Sequence, residues 1–258
     1  MSIVMNHPSE DLTFMTPLSQ ARAGRLTEFL ATSPQRHKEQ RVLDLGCGWG
    51  ELLLRVVEAS PTARGIGIDL DQPAIEHGRK LARDRGLADR VTFTDGDAKA
   101  QPDGSADAVI CIGASQIWGP PVEARQPLDY VSALRALRKL VAPGGRVLYG
   151  EGIWSRTPTP EAIAPLAGRP DEFVGMGELI ELAVAHGFQP IQVHEANLDE
   201  WDEFESGSNA RYTRWLAEHG TGHPDADGIL ARAAAKRAAY FGGYRSILGM
   251  AYLALVAV

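Results

Sequence analysis

Three carboxylates and a cluster of glycines are the residues whose types and spacing could do chemistry in this chain. Asp44, Gly46, Gly48 and Gly50 lie in Arg41-Val-Leu-Asp-Leu-Gly-Cys-Gly-Trp-Gly-Glu-Leu-Leu-Leu54, where Val42, Leu43 and Leu45 read as a buried strand feeding a turn that opens a helix. Glycine at three alternate positions lets the backbone bend sharply with no Cβ in the way of a ligand. This is a nucleotide-type cradle. It departs from the dinucleotide fingerprint Gly-x-Gly-x-x-Gly, because Glu51 stands where the last glycine belongs and Gly50 comes one residue early. An acid inside the strand and the lack of a basic phosphate-binding residue in the turn suit a ligand without a pyrophosphate. Asp69 closes the next apolar run, Ala63-Arg-Gly-Ile-Gly-Ile68, 23 residues after Gly46. At that interval a carboxylate ending the second strand of a βαβ unit accepts hydrogen bonds from both hydroxyls of a ribose. Capping the following helix, the ordinary alternative for such an acid, falls to Asp71 with Pro73. The third acid, Asp97, sits in Asp95-Gly-Asp-Ala98, which is also an ordinary turn signal.

Positioning these residues takes an alternation of strands and helices. Helices are expected over 51–59, ending at Ser60-Pro61, and over 72–85, ending at Gly86, with a third strand over 90–94. The run 106–112 is apolar on both faces, as a central parallel strand should be. It leads into Gly113-Ala-Ser-Gln-Ile-Trp-Gly-Pro-Pro121, at the carboxyl edge where open α/β sheets bind ligands. Leu128, Val131, Leu134, Leu137 and Val141 mark a helix over 127–141, stopped by Pro143-Gly-Gly145. A strand over 146–150 then terminates in Glu151. The proline-rich stretch that follows, with Trp154, has the length of a functional lid. A helix over 177–186 and a strand over 188–194 continue the pattern. Ahead of the first strand, a helix starting at Thr16-Pro-Leu-Ser19 ends near Ser33-Pro34. Its approach carries Phe14, Met15 and Leu18, apolar enough either to line a site or to pack on the sheet edge.

The glycine turn with its upstream acid resembles motif I of the class I S-adenosylmethionine-dependent methyltransferases. Asp69, the segment Asp95-Gly-Asp-Ala98 and the stretch Leu137-Arg-Lys-Leu-Val-Ala-Pro-Gly-Gly-Arg-Val-Leu148 resemble later parts of the same family pattern, the last being scaffold alone. The resemblance covers roughly residues 38–195 and the terminal strand. It implies an α/β fold: a doubly wound, mainly parallel sheet of seven strands in the order 3-2-1-4-5-7-6, the last antiparallel. An N-terminal helical cap over 1–37, a core over 38–198, a helical lid over 199–246 and a last core strand over 247–258 follow from it. It implies S-adenosyl-L-methionine as cofactor and methyl transfer to a small-molecule acceptor as reaction. The cofactor-binding set would be Asp44, Gly46, Gly48, Asp69, Leu70, Gly96, Asp97, Ala98, Gly113 and Ser115, with Asp97 on the adenine amine and the Ala98 amide on a ring nitrogen. In the family the loop after the fourth strand lies beside the transferable methyl, which makes Ser115, Gln116 and Trp118 active-site candidates; Trp118-Gly-Pro-Pro is equally a rigid turn. Because the sulfonium already activates the methyl, in-line placement in a dry pocket is the main demand on the enzyme. Gln116 cannot act as a base near neutral pH. For a hydroxyl acceptor, Glu151 or His7 is the candidate base.

The last sixty residues break the alternation. Trp201, Phe204, Tyr212, Trp215 and Leu216 mark a helix interrupted by Ser206-Gly-Ser208, a second helix follows from Asp225, and 247–256 reads as a strand. An insertion this short cannot bury a core of its own, so its aromatics are expected at the carboxyl edge as a lid, with Trp154, Trp201 and Tyr212 lining the acceptor pocket. Aromatic stripes at helical spacing are more often core. The acidic run Asp199, Glu200, Asp202, Glu203 and Glu205 reads as a solvated face.

Bulk properties limit the alternatives. In 258 residues with a net charge of −7, no basic cluster is present to neutralise phosphates, which argues against nucleic acid or an anionic membrane as partner. There is no uninterrupted apolar run long enough for a membrane span, and Met1 to Asp11 lack the features of a signal peptide, so a cytoplasmic location is expected. Two cysteines are too sparse for a disulfide framework, and Cys47 has no base near it in sequence. The seven histidines are scattered without metal-ligand spacing. A nicotinamide-dependent oxidoreductase is disfavoured by Glu51 and Asp97, whereas a cofactor-binding regulatory module without catalysis stays open. The acceptor atom and the choice between monomer and homodimer are not legible.

Overall fold

The computed structural model describes residues 11–32, 39–120 and 124–258. Its seven strands are β1 (Gln40–Leu45), β2 (Ala63–Asp69), β3 (Val91–Asp95), β4 (Ala106–Ile112), β5 (Val141–Trp154), β6 (Phe188–Glu195) and β7 (Leu248–Ala257). They form one sheet in the order β3-β2-β1-β4-β5-β7-β6. The first five are parallel, and β7 runs antiparallel between β5 and β6. Both features agree with the expected topology.

Neighbouring residues along a strand point to opposite faces, and the sheet is covered on both. Val42 and Ile110 pack under α1 (Gln20–Ala31), α2 (Glu51–Ala59) and α3 (Gln72–Asp84). Leu43 and Val109 pack under α4 (Tyr130–Leu140), with α5 (Pro160–Ile163) in the loop beyond β5 and α6 (Met176–Ala185) completing that layer. Every strand end that carries a candidate site residue is therefore anchored from both sides.

Several boundaries differ from those expected, each for a local reason. The first helix begins after Ser19, whose hydroxyl accepts from the Arg22 amide, and α4 begins after Asp129, whose carboxylate accepts from both the amide and the hydroxyl of Ser132. β5 does not end at Glu151: pairing of Gly152, Ile153 and Trp154 with Met250, Gly249 and Leu248 carries it on. Ser206-Gly-Ser208 does not interrupt α7, which runs from Leu198 to His219. A Cβ on Gly207 would lie 2.4 Å from Leu12 Cδ2, so the glycine admits the N-terminal segment against the helix and is not a break.

The acidic run is only in part a solvated face: Asp199 and Glu203 are exposed, but the other three acids are engaged. Glu200 is buried, completes a capping box with Asn197 at the start of α7, and holds Arg22 at 2.8 Å through a two-pronged ion pair. Asp202 binds Arg245 and the Tyr240 hydroxyl, and Glu205 accepts from the Tyr244 hydroxyl. The outer half of α7 and α8 (Ala226–Ala239) enclose a small cluster of Tyr212, Trp215, Ala226, Ile229 and Ala233, so the insertion does bury some apolar surface of its own. Burial pushes the Glu200 carboxyl upward, but the bonds from Arg22, Ser19 and Asn197 outweigh it and hold its pKa at about 2. A depressed carboxyl contributes stability above its unfolded value, and that contribution fades as pH falls toward the folded one. Arg22→Met, which strands the buried carboxylate, should lower the free energy of unfolding by about 3 to 5 kcal/mol near neutral pH. In denaturant melts the gap from wild type should narrow steadily between about pH 5 and 2.

Candidate active site

β1 ends in a turn where Gly46, Gly48 and Gly50 have φ of +70°, +54° and +67°. That region is accessible to glycine and strained for side chains. The space is taken as well: a Cβ at Gly50 would lie 2.3 Å from the Phe93 ring, and one at Gly48 would lie 2.9 Å from Met15 Sδ. The geometry aims backbone donors at β2. Gly48 N–H donates to Asp69 Oδ2 at 2.7 Å, and Asp71 N–H to Oδ1 at 2.9 Å. Each oxygen keeps a free lone pair. Asp71 itself caps α3 through the Ala74 amide. Glu51, the residue that breaks the dinucleotide pattern, opens α2 where the helix dipole favours an acid, and it is neutralised by Arg55 at 2.7 Å and Arg85 at 2.6 Å.

These elements surround a cavity of about 680 Å³. Asp44, Asp69 and Asp97 line it together, with Gly46, Gly48, Gly96, Ala98 and Gly113. Leu70, 76% exposed, forms part of the rim, an unusual degree of exposure for leucine. Asp97 orders its own turn by accepting from the Lys99 amide at 2.8 Å. The apolar wall comes from Phe14, Met15 and Leu18 of the N-terminal segment, Trp201 and Phe204 of α7, and Met250 of β7. Met250 lay beyond sequence reasoning, because nothing in an apolar strand distinguishes a residue facing a cavity from one facing a core.

The charge balance of the cavity is incomplete. Asp44 is buried, and among the described residues no hydrogen-bond donor or cation reaches its carboxylate. Burial, and then the nearby Asp69 charge, push its pKa up to about 8. A cationic ligand would relieve that strain. A ligand carrying a sulfonium and an ammonium, with a ribose diol at one end, fits the donor set: a burdened carboxylate at Asp44, a carboxylate with two open lone pairs at Asp69, and a turn without side chains between them.

Of the remaining candidates only some lie at the cavity. Gln116 and Ile117 of the loop after β4 line the cavity, but Ser115 does not: it is fully buried, with Oγ 2.6 Å from the Tyr149 hydroxyl and its amide donating to Glu151 Oε2 at 3.0 Å. Trp118 packs on the core around α4. Glu151 lies behind the loop and faces a separate cavity of about 190 Å³, its carboxyl raised by burial against the pull of the Gly152 and Ser115 amides. Trp154 donates to the Pro170 carbonyl and meets Phe173 edge to face. Tyr212 belongs to the α7–α8 cluster. These corrections share a cause: each ring or hydroxyl found a nearer partner in the scaffold. His7 lies outside the described residues.

Residues 42–145 match the methyltransferase domain family. Among solved structures, a S-adenosylmethionine-dependent methyltransferase from Geobacter sulfurreducens, in complex with S-adenosyl-L-homocysteine, superimposes with a TM-score of 0.82 at 28% identity, over 97% of this chain and 96% of that one. Another from Thiobacillus denitrificans, also with S-adenosyl-L-homocysteine, gives 0.80 at 27% identity over 97% and 96%. In sequence, the demethylmenaquinone methyltransferase of Thermus thermophilus is 37% identical over 110 residues, a match spanning 42% of this chain and 46% of that protein. With the sheet order, the glycine turn and the cavity aspartates Asp44, Asp69 and Asp97, these likenesses show that the chain carries a class I S-adenosyl-L-methionine-dependent methyltransferase domain.

Proposed function

We propose that the cavity takes the cofactor along the glycine turn and an apolar small molecule beneath the N-terminal segment and the start of α7. The observation that carries this reading is the continuity of one cavity from the three carboxylates to the wall of Phe14, Leu18, Trp201, Phe204 and Met250. When bound, the cofactor supplies a methyl group already activated by its sulfonium. The chain's own residues bind, orient and exclude water. Asp69 would hold the ribose hydroxyls, Asp97 and the Ala98 amide would read the adenine, Leu70 would cover its ring, and Asp44 would face the positive charge. Gln116 and Ile117 would border the reacting end. Glu151 acts as a positioning residue in this reading, since its bond to the Ser115 amide keeps the loop that presents them in place.

The N-terminal segment and the first half of α7 would serve as the cover. They are fastened to one another by the Arg22–Glu200 pair and to β7 by the hydroxyl pair Thr16–Tyr252 at 2.9 Å. The match to the Thermus enzyme lies in less than half of that protein, so the apolar acceptor is argued from the cavity wall, with the quinone-type name of that relative in keeping with it. Because Gln116 cannot take a proton near neutral pH, placement outweighs proton removal. Incubation with methyl-labelled cofactor and a panel of apolar phenols, quinols and amines should put label into a small-molecule product. Tight cofactor binding with no label in any product would favour a binding module instead.

Three further outcomes follow from the assigned roles. Asp69→Ala should weaken cofactor binding about tenfold or more, because charge-assisted bonds to the ribose are lost. At pH 7, below the raised Asp44 value, binding a cation should drive a proton off the carboxyl. Calorimetry in two buffers of different ionisation heat should detect that proton, and Asp44→Asn should abolish its release. For the acceptor wall, Phe204→Ala should raise the acceptor KM about tenfold with little change in cofactor affinity, whereas Tyr212→Ala should lower thermal stability and leave that KM unchanged.

A further inference from the structure

One residue of the cavity wall carries a buried hydrogen-bond donor with nothing to donate to. Trp201 lines the cavity, is 9% exposed, and its indole Nε1–H is sealed from solvent with no acceptor in reach among the described residues. Two other indoles are paired, Trp49 donating to the Thr13 carbonyl at 2.9 Å and Trp154 to the Pro170 carbonyl at 2.8 Å, and the other buried donors without a partner among the described residues, Arg211 Nε and the Thr27 and Ser105 hydroxyls, belong to residues that do not line the cavity. Buried unpaired donors are few in folded proteins because each keeps the full desolvation cost of the group. The rings around Trp201 do not relieve it. Phe204 and Tyr244 meet it edge to face at 6.2 and 6.3 Å, and the Tyr244 hydroxyl is engaged with Glu205.

The position of this donor is well supported. Trp201 follows Glu200, whose carboxylate is clamped by Arg22, the Ser19 amide and the Asn197 amide, so the first turn of α7 is held against α1. A firmly held donor lying just behind an otherwise apolar wall sets orientation and specificity for a ligand that opens the wall to reach it.

Resting on the reading of this wall as the acceptor compartment, we propose that Trp201 is a specificity residue: its indole N–H donates to an oxygen of the methyl acceptor. The substrate class is then an apolar, ring-sized molecule carrying a carbonyl, phenolic or ether oxygen, and not a plain hydrocarbon. To reach the N–H, that oxygen displaces the edge of Phe204 or Tyr244, both only partly buried. The bond orients the ring relative to the cofactor, and discrimination against an analogue lacking the oxygen comes from leaving the donor unpaired.

The test uses two probes with the same bicyclic frame, 1-tetralone with a carbonyl and tetralin without, titrated into the full-length protein loaded with S-adenosyl-L-homocysteine. Trp201→Phe keeps an aromatic ring and removes the N–H. The expected result is an approximately tenfold weaker Kd for 1-tetralone in Trp201→Phe with the tetralin Kd unchanged. In the wild-type protein, the assigned Trp201 indole N–H resonance should move on adding 1-tetralone and stay in place with tetralin. Equal weakening of both probes, no effect on either, or an indole signal unmoved by saturating 1-tetralone would overturn the role of Trp201 while leaving the compartment intact. If neither probe binds the wild-type protein, the apolar acceptor compartment itself is wrong, and the inference falls with it.

Discussion

The carboxyl edge depends on how tightly the end of β1 is fastened to the end of β2. Parallel register places Asp44 beside Gly67 and Leu45 beside Ile68, so the two strands finish level. The turn then donates three times into β2: Gly46 and Cys47 to the Ile68 carbonyl at 2.9 and 3.1 Å, and Gly48 to the Asp69 carboxylate at 2.7 Å. Positive φ at the glycines is what swings these amides sideways instead of onward along the strand. A consequence is electrostatic. Two carboxylates, Asp44 and Asp69, are brought into one poorly hydrated space: Asp69 is bonded to two amides, and burial together with the Asp69 charge raises the Asp44 carboxyl. The site is thereby prepared for a positive ligand before one arrives.

The cover over the site is assembled from opposite ends of the chain. Thr13 receives the Trp49 indole, Pro17 and Thr16 meet the Tyr252 hydroxyl, and Asp11 pairs with Arg214. A buried ion pair such as Arg22–Glu200 gains little net stability, since desolvation offsets most of the attraction. Its effect is on register: a two-pronged guanidinium fits the carboxylate in few orientations, which sets where α1 meets α7. The apolar wall of the cavity is thus aligned by polar contacts outside it.

The loop after β4 illustrates how a scaffold can absorb residues that look reactive. Ser115, Tyr149, Glu151 and Tyr130 form a buried polar chain ending on the Gly152 carbonyl at 2.6 Å. Inside a low-dielectric core such groups must satisfy one another or bear a penalty, and satisfying one another takes them out of the cavity. What this network leaves at the cavity wall is Gln116 and Ile117.

The sequence by itself determined the alternation of strands and helices and the glycine turn, because these rest on local rules, two-faced apolar runs and glycines where positive φ is required, while the strand order followed from the family resemblance that the same turn carries. It was silent or misleading where the deciding partner lay far along the chain. Glu200 read as solvated until Arg22, 178 residues away, was seen against it. Ser206-Gly-Ser208 read as a break because the reason for the glycine, Leu12, comes from the other end of the protein. Trp118, Trp154 and Tyr212 could not be told from Trp201 by type or spacing. Whether an aromatic ring lines a cavity or fills a core is settled by which surfaces pack around it, and only the tertiary structure decides that.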